Sequence, residues 1–152
     1  MGTVSKLRVA EAQLDSAIDL FLDGKYVASL TLAGAAEEIF GKLVKFHGGQ
    51  PAFEKRVDLM RSIVRKTRPG NMPSNKKIGS DINYLKNSFK HLDMEVVGNA
   101  VVNIRNVRRE AISMLDRAIR NYSALGSKYR YNVEVTLCRK VASFRANPAN
   151  HS

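Results

Sequence analysis

Apolar residues recur every three or four positions through almost every segment of the chain, and good helix terminators separate the segments. That period predicts an all-α protein, a single bundle of about five or six helices. Leu7, Ala10, Leu14, Ala17, Ile18 and Phe21 form the stripe of a first helix, with Glu11, Asp15 and Asp19 opposite and Asp23-Gly24 as its stop. The second segment, Lys25 to His47, is apolar on two sides. Tyr26, Leu30, Ala33 and Phe40 line one and Leu32, Ile39, Leu43 and Phe46 the other, so this should be the central helix.

Gly48-Gly49 ends it, and Pro51 opens a third helix carrying Phe53, Val57, Met60, Ile63 and Val64 to Lys66. Thr67 to Gly79, with Pro69-Gly70 and Pro73, reads as the longest break and a mobile basic loop. Ser80 is the expected cap of a short fourth helix whose apolar stripe is Ile82, Leu85, Phe89 and Leu92. A long fifth helix is expected from Val97 to Leu125, with Val101, Ile104, Ala111, Leu115, Ala118, Tyr122 and Leu125 as its seam and Gly126 as its end. Continuing the period from Ile104 lands on Arg108, which places a guanidinium on or beside the buried stripe. Glu37 interrupts the central helix in the same way, so a structural ion pair between Glu37 and Arg108 is expected, with a catalytic carboxylate as the alternative. A last helix from Val133 to Phe144 offers Leu137, Val141 and Phe144. Residues 1–146 thus form one domain, and residues 147–152 read as a flexible tail.

Charge sharpens this picture. The net charge is +11, and it is unevenly spread. Residues 1–50 hold five Lys/Arg against six Asp/Glu, whereas residues 51–152 hold twenty against eight. From Arg61 to Lys77 the cations Arg61, Arg65, Lys66, Arg68, Lys76 and Lys77 meet no acid, an arrangement that attracts RNA or another polyanion by releasing its counterions. Arg105 and Arg109 share a face of the long helix and extend the candidate phosphate-binding set. Cys138 is the sole cysteine, which excludes a disulfide framework and a cysteine zinc site within one chain and suits a reducing cytoplasm. The first residues carry no apolar run of a signal peptide, and no segment has the length and apolarity of a membrane span. No Walker loop, dinucleotide fingerprint, nucleophile elbow or zinc motif occurs, and no metal or cofactor is expected.

The chemistry-bearing stretch is Tyr84 to Asp93. Tyr84, Asn87, Ser88 and His91 recur at three and four residues and project together, with Lys86 and Lys90 on the flanks. A histidine titrates near neutrality and can move a proton, and a lysine can hold the phosphate it acts on. The plain alternative is a solvent-facing histidine at a helix end. Tyr129-Arg130-Tyr131 mixes aromatic and basic residues as single-strand binders do.

Thr31 to Ile39, Asn87 to Asp93, and Ala111-Ile112 to Asn121-Tyr122 together resemble the HEPN superfamily (higher eukaryotes and prokaryotes nucleotide-binding domain). They also resemble a group of largely uncharacterised bacterial helical proteins. The likeness covers roughly residues 10 to 125. It implies a helical bundle, often a homodimer, acting on RNA as a metal-independent ribonuclease of a defence or toxin–antitoxin system, with a possible cognate protein partner. His91 would be the general base or acid, Lys86 would stand at the Arg of the Arg-x4-6-His motif, Asn87 would position the scissile group, and Lys90 would hold phosphate. Lys86 keeps the charge of that Arg but loses its planar fork. A non-catalytic module that binds a nucleotide, nucleic acid or protein is therefore the alternative.

Overall fold

A computed structural model describes residues 3–88 and 104–150, and in that range the protein is all-α. Helix α1 (Lys6–Leu22) starts where the Ser5 hydroxyl accepts from the Arg8 backbone N–H at 3.3 Å. Helix α2 (Tyr26–Phe46) follows after three residues, so the two lie side by side as a helical hairpin. Helix α6 (Ile104–Ser127) packs along the opposite side of α2, making α2 the centre of the bundle. Leu14, Ile18, Leu30, Phe40, Leu115 and Tyr122 are sealed between these three helices, with the Phe40 and Tyr122 rings 5.2 Å apart.

The second apolar face expected on α2 is weaker than its composition suggests. Leu32, Ile39 and Leu43 are partly buried, and Phe46 is 80% exposed because it sits in the last turn, past the end of the packed seam. Small residues take over the contact instead: Ala33, Gly34, Ala36 and Gly41 are buried. Helix α3 (Ala52–Thr67) is tied on by Asn121 of α6. The Asn121 side chain accepts from the Ala52 N–H at 2.8 Å and donates to the Glu37 carbonyl oxygen at 3.4 Å, so one amide joins α2, α3 and α6. Of the apolar residues of α3, only Ala52 and Val57 are buried, while Leu59, Met60 and Ile63 are exposed.

The expected long break is shorter than its proline and glycine content implied. Ser74, not Ser80, caps helix α4 (Asn75–Ile82), accepting from the Lys77 N–H at 3.1 Å, and Gly79 lies inside the helix. The reason is contact: a Cβ on Gly79 would come within 3.1 Å of Phe53 Cζ, so glycine lets the Phe53 ring lie against α4. A short helix α5 (Tyr84–Ser88) follows. Phe89, Leu92 and the first part of the expected fifth helix, Val97 to Val101, lie outside the described residues. At its far end α6 runs on through Gly126 to Ser127.

Helix α7 (Val135–Ala146) closes the bundle with Leu137, Val141 and Phe144, clamped to α1 by Lys140, whose ammonium is 2.7 Å from both Asp15 and Asp19. Nor is the expected tail loose as far as Asn150. Pro148–Asn150 forms a 3-10 turn, the buried Asn150 amide donates to the Phe144 carbonyl at 3.0 Å, and Arg108 donates to the Ala149 carbonyl at 2.8 Å. Polar closure of a short terminal segment onto the last helix explains the difference.

Glu11, expected on the solvent side of α1, is 4% exposed. Its carboxylate takes the Glu134 backbone N–H (2.8 Å) at the start of α7, the Tyr122 hydroxyl (3.3 Å) and the Arg8 guanidinium (2.7 Å). A carboxylate at a helix N-terminus satisfies an orphan N–H and meets the positive end of the helix dipole. Glu11→Ala leaves the Glu134 N–H without its acceptor, while Arg8 keeps only the Glu134 carboxylate, and it should destabilise the protein by about 1–3 kcal/mol in urea unfolding. A loss below about 0.5 kcal/mol would show that Glu11 is a surface residue in energetic terms.

Candidate functional site

Of the expected catalytic residues, Lys86 and Asn87 are described, whereas His91 and the flanking Lys90 lie outside the described residues. Tyr84 and Asn87 are exposed on α5. Lys86 turns the other way, onto the central helix. Its methylene chain crosses Gly34, where a Cβ would stand 2.9 Å from Lys86 Cε, and its ammonium donates to the Gly34 carbonyl oxygen at 3.4 Å. Glycine at this point of α2 opens the groove that the lysine occupies. Lys86 is half-buried there, in the wall of an open cleft of about 300 Å³ that also includes Glu37, Asn83 and Phe53.

Glu37 is 6% exposed. Burial raises its carboxyl above the usual carboxylate range, and the charges of Arg117 and Lys86 pull it down by less. The expected partner Arg108 is therefore wrong, and geometry explains why. Arg108 lies near the start of α6, donating to Ala149 and stacked 5.7 Å over the Phe21 ring, while Arg117, more than two turns further along α6, carries the cation that acts on Glu37.

Arg117 is 3% exposed, although a charged residue beside an apolar stripe faces solvent by default. One terminal nitrogen donates to Asn83 Oδ1 at 3.0 Å and lies 2.8 Å from Met114 Sδ, and the guanidinium stands 5.5 Å over the Phe53 ring. Its Nε and Nη1 have no hydrogen-bond partner among the described residues. A signal was present: Val107, Met114 and Asn121 are buried at seven-residue steps, and Arg117 sits between the last two at i+3 and i−4.

The second candidate region is the far half of α3. Arg61, Arg65, Lys66 and Arg68 are all exposed, and none forms an ion pair among the described residues. Arg61 and Arg65 are four positions apart and share a side of the helix, and Arg68 follows as its C-cap. Lys76 is exposed, whereas Lys77 is paired with Asp81 at 2.8 Å. Arg109 is exposed on α6, and the Arg105 side chain is outside the described set. Between α3 and α4 runs an open groove of about 490 Å³ whose lining includes Met60, Val64 and Ile78 together with Arg56 and Arg68 and the acids Asp81 and Glu110.

Tyr129 and Tyr131 do not form an open stacking platform. Tyr129 lies against the His47 ring at 5.1 Å and 17°, and Tyr131 shares a 2.8 Å hydrogen bond with His47 Nε2. No group of three or more His, Cys, Asp or Glu among the described residues is placed to hold a metal ion, and no helix there is long and apolar enough to cross a membrane. No protein-family model, curated protein or solved structure matches the chain.

Because the folded-state pKa of Glu37 lies above its ordinary value, the neutral acid is the favoured buried form. The stability it confers is complete below about pH 4.3 and is lost as pH rises through the folded pKa. Glu37→Gln fixes the neutral form. In thermal melts the variant should match the wild type near about pH 4 and exceed it by a margin that widens towards about pH 8. A variant less stable than the wild type at neutral pH would mean that the attraction of Arg117 and Lys86 outweighs burial.

Proposed function

We propose that this bundle is an RNA-binding protein that holds the phosphodiester backbone along the second half of α3 and does not cleave it. The observation that carries this reading is the row of exposed cations without ion-pair partners, Arg61, Arg65, Lys66 and Arg68, in a stretch with no acid from residue 61 to residue 77. Such a row gains most of its affinity from counterion release and reads charge spacing rather than base identity. Arg65 and Lys66 also offset the negative end of the α3 dipole, but Arg61 lies a turn too early to do so.

Cleavage is the second reading, supported by the HEPN resemblance and by the exposure of Tyr84 and Asn87 on one side of α5. Against it stands Lys86, the group that would hold the scissile phosphate. Its ammonium is engaged by the Gly34 carbonyl and acts on Glu37, so reaching a phosphate means leaving both.

Fluorescence anisotropy with a labelled single-stranded RNA tests the proposal. Arg61→Glu/Arg65→Glu should weaken binding at least about tenfold at low salt and flatten the salt dependence by about 1.4 in the log–log slope, two phosphate contacts' worth. Binding unchanged by this pair, or none at all, would sink it. RNA cut by the wild type and left whole by His91→Ala would replace it with the ribonuclease reading.

A further inference from the structure

The cleft walled by Lys86 contains a group that the RNA-binding row does not use. Its lining comes from one face of α2, from Pro51 and Phe53 at the start of α3, and from Asn83 at the end of α4 and Lys86 of α5. Acids and cations are equal in number there, Glu37, Glu38 and Glu54 against Lys42, Lys45 and Lys86. Four of the six satisfy one another, since Lys42 pairs with Glu38 at 3.1 Å and Lys45 with Glu54 at 2.6 Å. In a chain of net charge +11 this is neutral ground, unsuited to a polyanion.

Glu37 is the acid left over. It is 6% exposed, and among the described residues no group donates a hydrogen bond to its carboxyl or stands within ion-pair distance of it. Arg117 and Lys86 act on it through their charge alone. Nor are its oxygens closed off, because the sealed and unpartnered side-chain atoms among the described residues belong to Gln13 and Arg117. A carboxyl buried over nine-tenths of its surface, bare of donors and lining an open cleft, is unfavourable when the cleft is empty and favourable once donors enter.

The surroundings define the kind of donor. Two nearby cations already offset the carboxylate charge, so a third gains little attraction and meets repulsion. The unmet capacity is that of two acceptor oxygens, which a neutral ligand with two adjacent N–H groups fills. Among the bases of RNA, guanine alone carries two adjacent donors on its Watson–Crick edge, N1–H and the N2 amino group. Adenine and cytosine set an acceptor beside their amino group, and uracil sets its one N–H between two carbonyls. At about 300 Å³ the cleft has room for a single base, and Pro51 and Phe53, the latter backed by the Arg117 guanidinium at 5.5 Å, give it apolar lining.

We infer that this cleft binds an unpaired guanine base, with Glu37 accepting from N1–H and from the N2 amino group. The paired-donor chemistry stands by itself, whereas the choice of a nucleobase rests on the RNA-binding reading. Cleft and row lie towards opposite ends of α3 and share no residue.

Nucleosides carry no phosphate and cannot report on the row, so titration of guanosine, inosine and adenosine, followed by saturation-transfer NMR, tests the cleft directly. The wild type should bind guanosine at least about tenfold more tightly than inosine, which lacks the N2 amino group, or adenosine, which offers one donor beside an acceptor. Glu37→Gln, expected to fold at least as stably as the wild type, leaves one acceptor oxygen and should lose the preference for guanosine. The inosine comparison needs no variant, so it decides even if Glu37→Gln does not fold. Guanosine bound no better than adenosine or inosine, no nucleoside bound at all, or a preference that survives Glu37→Gln overturns the site. Because guanosine touches none of Arg61, Arg65, Lys66 and Arg68, guanosine binding without RNA binding sinks the row alone, and RNA binding without guanosine binding sinks the cleft alone.

Discussion

The close contact between α2 and α6 is the constraint on which the remaining structure depends. Large side chains would hold two helices further apart than these. Here Ala33, Ala36, Ala111 and Ala118 are fully buried, Gly41 lies against Asn121, and the bulky residues Phe40, Leu115 and Tyr122 complete the core. Two helices that near each other also trap whatever polar groups border the seam. Glu37, Asn121 and Arg117 are the groups so trapped, and each is put to structural use. Asn121 fixes the start of α3, Arg117 holds Asn83 at the end of α4, and Glu37 sits in the field of both Arg117 and Lys86. Helix α3 is therefore hung on the central pair largely by polar contacts, and it keeps Leu59, Met60 and Ile63 exposed.

How much of this was legible in the sequence depended on whether the deciding forces were local. The helices α1, α2 and α7 are readable because their apolar periods and terminators lie within the segment itself, and the seam of α6 from Ala111 to Leu125 follows for the same reason. Gly79 and Gly126 misled, since glycine as a helix breaker and glycine as a helix-contact residue look alike until the neighbour is known. For Gly79 that neighbour is Phe53, a residue 26 positions away in sequence. Glu11 misled more seriously, and the burial of Arg117 depends on the same kind of distant contact. A charged residue next to an apolar stripe is solvent-facing by default, and only the arrival of α7 on Glu11, or of Phe53 and Asn83 on Arg117, converts it into a buried group. The Glu37 cation was sought one stripe over, at Arg108, because the period counted along the main seam passes through Arg108 and misses the second seam that carries Arg117.

The cations on the two sides of α3 differ in kind, and the difference bears on what each can do. Along the second half of α3 the charges are solvated and evenly spaced on one turn after another, which suits a long, regularly charged chain and tolerates sliding. On the α6 side of the same helix the buried cation Arg117 is desolvated and enclosed by Asn83, Met114 and Phe53, so it serves the packing of the bundle where the row serves its surface.

The three-residue turn from Asp23 to Lys25 has a kinetic meaning. A hairpin closed by so short a connection pairs α1 with α2 at little loop-closure cost, so this contact belongs to the early part of folding. Helix α6 must then find the open side of α2 across the 57 residues numbered 47–103, a slower search. Arg117 loses its water only in that second step, when the α6 seam closes and Phe53 comes to rest on the guanidinium. The turn at Gly24, with its φ of 76°, thereby makes the first pairing of the bundle the least costly one to close.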